Sequence, residues 1–214
     1  MYKRQVTLRS PETPKEFADR FLVTCEAYKV PAAILLSKID LQDAEAVAEF
    51  RAVYEGAGYR VLEVSAKEGR GVEEVRELLA GRTTLVSGNS GVGKSTLIQT
   101  IDPSLDIRTG EISDSHHKGR HTTTFSTMYP LAEGGAVIDT PGIKGFGLLD
   151  IDDAELWHYF PEMMRVAPGC RFYNCTHTHE PGCAVVEAVK AGEIAWSRYE
   201  SYLKILDDDE KYRK

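Results

Sequence analysis

Gly88-Asn89-Ser90-Gly91-Val92-Gly93-Lys94-Ser95-Thr96 matches the P-loop pattern G-x-x-x-x-G-K-[ST] at every fixed position. Glycines at 88, 91 and 93 let the backbone turn tightly enough for successive N–H groups to converge on a phosphate. Lys94 reaches the outer phosphates as a point charge, and the Ser95 hydroxyl is placed to ligate Mg²⁺. The flanks agree with this reading. Thr83-Thr84-Leu85-Val86-Ser87 before the loop is short and β-prone, and Ser95 to Ile101 after it carries the apolar spacing of a helix. A strand, a glycine loop and a helix N-terminus make an anion site from backbone and dipole alone. A glycine-rich turn that fits by accident is the rival reading, and it lacks a reason for that context.

Upstream of the loop, apolar runs and helical periods alternate. Gln5 to Arg9 reads as a short strand, and Phe17, Phe21, Leu22, Cys25 and Tyr28 recur at helical spacing up to Val30-Pro31. Cys25 lies on the apolar side of that helix and reads as a small buried thiol. Ala32-Ala33-Ile34-Leu35-Leu36 is continuous and apolar, as in a parallel strand covered on both faces. A helix with Ala44, Val47, Phe50, Val53 and Tyr54 on one side follows, then a strand at 59–64 and a helical face at Val72, Val75, Leu78 and Leu79. Downstream, residues 106–128 are polar and rich in His, Thr and Gly, which reads as a long loop. Ala136-Val137-Ile138 is a further buried strand, and helical stretches at 153–166 and 184–206 flank a cysteine-bearing loop. This alternation predicts an α/β fold: a mostly parallel sheet with helices on both faces, over 1–150, and a small helical subdomain over 151–214.

Three short segments sit at the predicted strand ends, where an open α/β sheet places its ligands. Asp139-Thr140-Pro141-Gly142 suits a Walker-B-like role, with Asp139 holding a water on Mg²⁺ and the Gly142 N–H meeting the terminal phosphate. Ser37-Lys38-Ile39-Asp40 suits guanine, because a carboxylate accepts from both the ring N–H and the exocyclic amine. Ser65-Ala66-Lys67 supplies a backbone N–H to the guanine carbonyl. Singly each could be an ordinary turn; together with the P-loop they favour GTP over ATP.

These segments resemble the guanine-nucleotide motifs of P-loop GTPases in an altered order. Ser37–Asp40 and Ser65–Lys67 precede Gly88–Ser95, and Asp139–Gly142 follows. That order is similar to the circularly permuted GTPases. With Gly119-Arg120-His121-Thr122-Thr123-Thr124 and three clustered cysteines, the chain closely resembles the RsgA (YjeQ) family of small-ribosomal-subunit biogenesis GTPases over nearly its whole length. Permutation is tolerable because the joined termini of a compact domain often lie close together. The family usually reads Asn-Lys-x-Asp, where this chain has Ser37, which weakens the brace on the base-reading loop. Family members also carry an N-terminal OB-fold, which the chain is expected to lack, and with it part of the ribosome-binding surface.

The resemblance implies GTP as substrate, GDP and phosphate as products, Mg²⁺ as cofactor, and the small ribosomal subunit and its rRNA as partner. Ras-like enzymes place a water-orienting glutamine directly after the D-x-x-G glycine. Here that position is Ile143. His121 is the candidate that replaces it, the matching family histidine being implicated in catalysis; the rival is an uncommitted polar loop residue. One of Thr122, Thr123 and Thr124 supplies the switch hydroxyl on Mg²⁺, Thr123 being preferred.

Cys170-x₄-Cys175-x-His177-x₅-Cys183 offers three thiolates and an imidazole within 14 residues, a Cys₃His set suited to one structural Zn²⁺. His179 is an alternative to His177. A disulfide would leave one cysteine over and does not suit a cytosolic chain. The spacing matches the RsgA zinc subdomain, and the metal would staple a helical region whose own core is thin.

Composition sets the remaining bounds. The chain has 214 residues and a net charge of −7, so no global basic field marks a nucleic-acid binder. Residues 151–214 hold eight Lys/Arg against twelve Asp/Glu, so RNA contact there needs a local basic face. No apolar run reaches the roughly 18 residues of a membrane span, and Met1-Tyr2-Lys3-Arg4-Gln5 is no signal peptide. A cytoplasmic monomer is expected. The competing functions are a GTP-dependent RNA- or protein-binding switch whose hydrolysis is incidental, and a nucleotide kinase, for which no acceptor lid or arginine cluster is evident.

Overall fold

The apolar runs at 32–36 and 136–138 become strands paired on both sides. In the computed structural model of the chain, which describes residues 2–6, 11–105, 127–139 and 151–212, six strands form one sheet. They are β1 (Tyr2–Val6), β2 (Ala32–Ser37), β3 (Arg60–Val64), β4 (Thr83–Ser87), β5 (Thr127–Pro130) and β6 (Ala136–Asp139). The order is β3-β2-β1-β4-β6-β5, with every pairing parallel except β5 with β6. β2 pairs on both sides and is buried at every residue after its first, as its sequence demands. Renumbered from the P-loop strand β4, the order reads 6-5-4-1-3-2, a sheet wound outward from a central first strand. Moving the chain ends leaves that sheet intact, which is the permuted arrangement the motif order implies.

The helices are α1 (Lys15–Ala27), α2 (Ala44–Ala57), α3 (Val72–Leu79), α4 (Lys94–Ile101), α5 (Pro161–Val166), α6 (Ala184–Lys190) and α7 (Trp196–Tyr212). None among the described residues is long and apolar enough to cross a membrane. Three expectations shift. β1 lies at 2–6 rather than 5–9. β5 occupies part of the stretch read as loop. The stretch read as one helix over 184–206 is two, broken at Gly192, whose φ of +77° no helix accommodates.

The chain divides into two compact units. One comprises Met1–Thr13, Pro31–Ala48 and Arg60–Gly145; the other comprises Pro14–Val30, Glu49–Tyr59 and Phe146–Lys214. Residues 14–30 and 49–59, expected within the first domain, thus cluster with the C-terminal region. Periodicity shows that α1 has an apolar side but not which core covers it. The first unit's core gathers Ala33, Leu35, Leu62, Val64, Leu97 and Val137. The second gathers Val23, Leu156, Phe160, Met163, Tyr202 and Ile205, so α1 fills a core that the C-terminal residues alone would leave thin. Cys25 is buried on α1, as its position in the pattern implies.

At the second unit's centre Arg198 of α7, 1% exposed, donates from Nη1 to Asp19 Oδ1 at 2.6 Å and from Nε to Glu162 Oε1 at 2.7 Å. Its guanidinium also lies over the Phe160 ring, 4.8 Å from the centroid. Burial raises the pKa of Asp19, and the Arg198 charge opposes the rise. Only a planar fork serves two carboxylates in this way. Arg198→Lys keeps the charge and loses the fork, so it should destabilise by about 1.5–3 kcal/mol in urea unfolding. A lysine variant as stable as its parent would remove the fork's role.

Candidate functional site

The P-loop's geometry follows from its glycines. Gly91 and Gly93 hold φ of +81° and +96°, conformations that a side chain disfavours, and Gly93 caps α4, which starts at Lys94. Lys94 is buried, and its Nζ donates to Gly88 O at 2.7 Å and Asn89 O at 3.1 Å, which holds the ammonium against the loop. Ser95 follows in the first turn of α4, half-buried.

Asp139 ends β6, next to β4 in the sheet. Its carboxylate is buried, and Oδ1 accepts no hydrogen bond among the described residues. Burial raises its pKa and the Lys94 ammonium counters the rise. A buried carboxylate oxygen without a donor, facing the phosphate loop, fits a hydrated divalent cation. Ser95 and Asp139 are the described groups able to hold Mg²⁺. His121, Thr123 and Gly142 lie outside the described residues, as do Thr122, Thr124 and Ile143.

The expected base-reading segments converge. A cavity of about 160 Å³ is lined by Lys38, Asp40, Ala66, Lys67, Gly93 and Thr96, so the ends of β2 and β3 and the start of α4 share one cleft. Ser65 Oγ donates to Asp40 Oδ1 at 2.6 Å and accepts from Glu68 N at 3.3 Å. That hydrogen bond holds the Asp40 carboxyl below the usual carboxylate range, so it is an acceptor at neutral pH. The Ser65 N–H is itself taken up by Arg70 O at 3.0 Å, so the N–H expected from this segment falls to Ala66 or Lys67. Gly71 closes the turn: with φ of +68°, a Cβ there would sit 2.0 Å from Glu63 O. Lys38 holds φ of +56°, a left-handed residue of the kind concentrated at ligand sites. Ser37, in place of the family's asparagine, is buried at the end of β2.

The second unit holds the cysteine cluster. One ligand atom from each of Cys170, Cys175, His177 and Cys183 lies within 4.8 Å of the others. His177 Nδ1 is 3.5 Å from Cys170 Sγ and 3.4 Å from Cys183 Sγ, and those two sulfurs are 3.9 Å apart, so all remain free thiols. His179, the alternative, is exposed and bonded to Thr178 Oγ1. Each thiol faces a backbone donor: Ala184 N to Cys170 at 3.3 Å, Val186 N to Cys183 at 3.5 Å, and the His177 amide to Cys175. Burial pushes the Cys175 thiol up to about 12, so it is protonated unless a cation displaces the proton. Three sulfurs met by amide donors and one inward imidazole nitrogen are the chemistry of a closed tetrahedral zinc set.

Sequence reasoning missed the Ser65–Asp40 contact and the two tyrosines behind the cluster. Tyr199 donates to His177 O at 2.7 Å and Tyr202 to Thr176 O at 2.6 Å. Their spacing of three on α7 was the available signal.

Comparison with known proteins agrees with this geometry. A family model described as RsgA GTPase matches residues 6–149. The chain is 53% identical over 215 residues to the small ribosomal subunit biogenesis GTPase RsgA of Porphyromonas gingivalis, covering 97% of this chain and 68% of that protein. The crystal structure of YjeQ from Thermotoga maritima is similar with a TM-score of 0.82 at 38% identity, covering 97% of this chain and 70% of that one. That of YloQ, described as a circularly permuted GTPase, is similar with a TM-score of 0.77 at 27% identity, covering 100% and 69%.

Proposed function

The chain belongs to the RsgA GTPase family and is a GTP hydrolase; from that premise we propose that it converts GTP to GDP and phosphate during late maturation of the small ribosomal subunit in the cytoplasm. In this reading the subunit and its rRNA are the partner and stimulate hydrolysis. The name of the Porphyromonas gingivalis relative supports the partner. The observation that carries the chemistry is the single cleft joining Asp40, Ala66 and Lys67 to the start of the P-loop helix.

Asp40 reads guanine through its two carboxylate oxygens, with Ser65 fixing its orientation. The P-loop amides from Gly88 to Thr96 and the Lys94 ammonium hold the phosphates. Ser95 and Thr123 would hold Mg²⁺ and Asp139 a water on it, and the ion would neutralise charge on the phosphate oxygens. His121 orients the attacking water, and the Gly142 N–H meets the terminal phosphate. Cys170, Cys175, His177 and Cys183 hold one structural Zn²⁺, a closed set with no open position for catalysis.

GTP turnover measured with and without purified small subunits tests the partner; equal rates would sink it. The base assignment has its own test. Asp40→Asn replaces one acceptor by a donor, which repels the guanine amine and suits the C2 carbonyl of xanthine. GTP affinity should fall about a hundredfold, with XTP binding gained. Unchanged GTP affinity would remove Asp40 from base reading.

A further inference from the structure

His177 is the costly residue of the cysteine cluster. It is a non-glycine with φ of +60°, a strained left-handed backbone state, and its side chain is buried. Relaxing this residue would turn the imidazole nitrogen away from the sulfurs it faces at 3.4 and 3.5 Å. Something must hold the backbone on both sides of it.

Glu180 is placed to do that. Its Oε1 accepts from Thr176 N at 2.7 Å and from Thr176 Oγ1 at 2.6 Å. Its Oε2 accepts from Thr178 N at 3.1 Å and from His179 N at 3.2 Å. One carboxylate thus gathers the amides immediately before and after His177. Burial alone would raise the pKa of Glu180, but the bonds from Thr176 and His179 hold it well below the usual carboxylate range. The carbonyls of the same turn are held from the other direction by Tyr199 and Tyr202. Both Glu180 oxygens face the backbone, so the residue stands outside the four ligand atoms.

We propose that Glu180 is a positioning residue for metal binding: its carboxylate fixes the Thr176–His179 turn so that His177 Nδ1 faces the three thiols. This rests on the reading of Cys170, Cys175, His177 and Cys183 as a zinc set. Glu180→Gln keeps the shape but replaces one acceptor oxygen by a carboxamide NH₂, a donor that cannot accept from a backbone N–H.

The test uses the full chain, with zinc affinity measured by competition against a chromophoric chelator. The absorption of the cobalt(II)-substituted protein reports the ligand set, and GTP affinity serves as a control on the first unit. Glu180→Gln should bind zinc about 10–100-fold more weakly than the parent, with GTP affinity unchanged. Thr176→Val removes the hydroxyl's bond to Glu180 and its contact with Thr178 Oγ1, leaves the backbone bonds to the carboxylate, and should cost less, about three- to tenfold. If Glu180→Gln does not fold, Thr176→Val decides, and zinc affinity equal to the parent's overturns the proposal. Zinc affinity of Glu180→Gln within twofold of the parent's overturns it as well. A parent chain that takes up no zinc removes the zinc reading itself, an outcome visible before any variant is made.

Discussion

On the zinc reading proposed above, Cys183→Ser should abolish stoichiometric zinc uptake and cost several kcal/mol of stability in the second unit. Metal binding at such sites is folding free energy, on the order of 10 kcal/mol for a whole structural zinc site. Cys183 has a second part: its sulfur accepts from Val186 N at the start of α6, so the variant loosens a helix cap together with a ligand. The pH dependence has a definite sign. With burial pushing the Cys175 thiol up to about 12, the metal must displace a proton to bind. Zinc affinity therefore rises with pH and falls on acidification, and binding releases protons. Metal analysis after dialysis and thermal melting with and without a chelator read the effect. A chelated parent that melts at the same temperature as the zinc-loaded one would refute the structural role.

Lys94→Ala should lower kcat/KM for GTP by about a thousandfold, near 4 kcal/mol, since preorganised charge on a transferring phosphoryl group contributes on that scale. The buried ammonium also counters the desolvation of Asp139. Without it the folded-state pKa of Asp139 rises further. A carboxylate must be ionised to help hold Mg²⁺, and the ionised form is lost as pH falls through the raised pKa. Residual activity of Lys94→Ala should thus fail at a higher pH than the parent's, and extra Mg²⁺ should restore part of it. Steady-state GTP hydrolysis across a pH series checks both statements; a variant with parental kcat/KM would move the phosphate site elsewhere.

What could be read from the chain, and what could not, divides along a physical line. The P-loop was legible because its function is a backbone shape, and glycine is how a sequence writes such a shape; Gly91 and Gly93 hold the positive φ expected of them. The segments ending in Asp40 and Lys67 were legible because strand ends are where ligands sit, and one cleft joins them. β5 was not legible. Among the described residues it pairs on one side only, and it leaves Met128 58% exposed, so neither an apolar run nor an alternation marks it. Pro130 at its end is tolerated because an edge strand has a free side. Spacing left His179 as an alternative to His177, and it is His177 whose ligand atom lies with the three sulfurs. The Ser65 hydroxyl on Asp40 and the Arg198 fork were beyond reach for another reason: they join residues 25 and 179 positions apart, and no local pattern records a partner at that distance.

The interleaving of the second unit has a consequence for the nascent chain. α1 finds its core partners only when α7 has been made, the Asp19–Arg198 pair closing a span of 179 residues. At the usual synthesis rate of about 5–20 residues per second, that interval lasts roughly ten to forty seconds. Throughout it Val23, buried in the finished fold, has no C-terminal core to enter. Contacts of such long sequence separation also form slowly once available. α1 is therefore made long before the C-terminal elements that complete its surroundings.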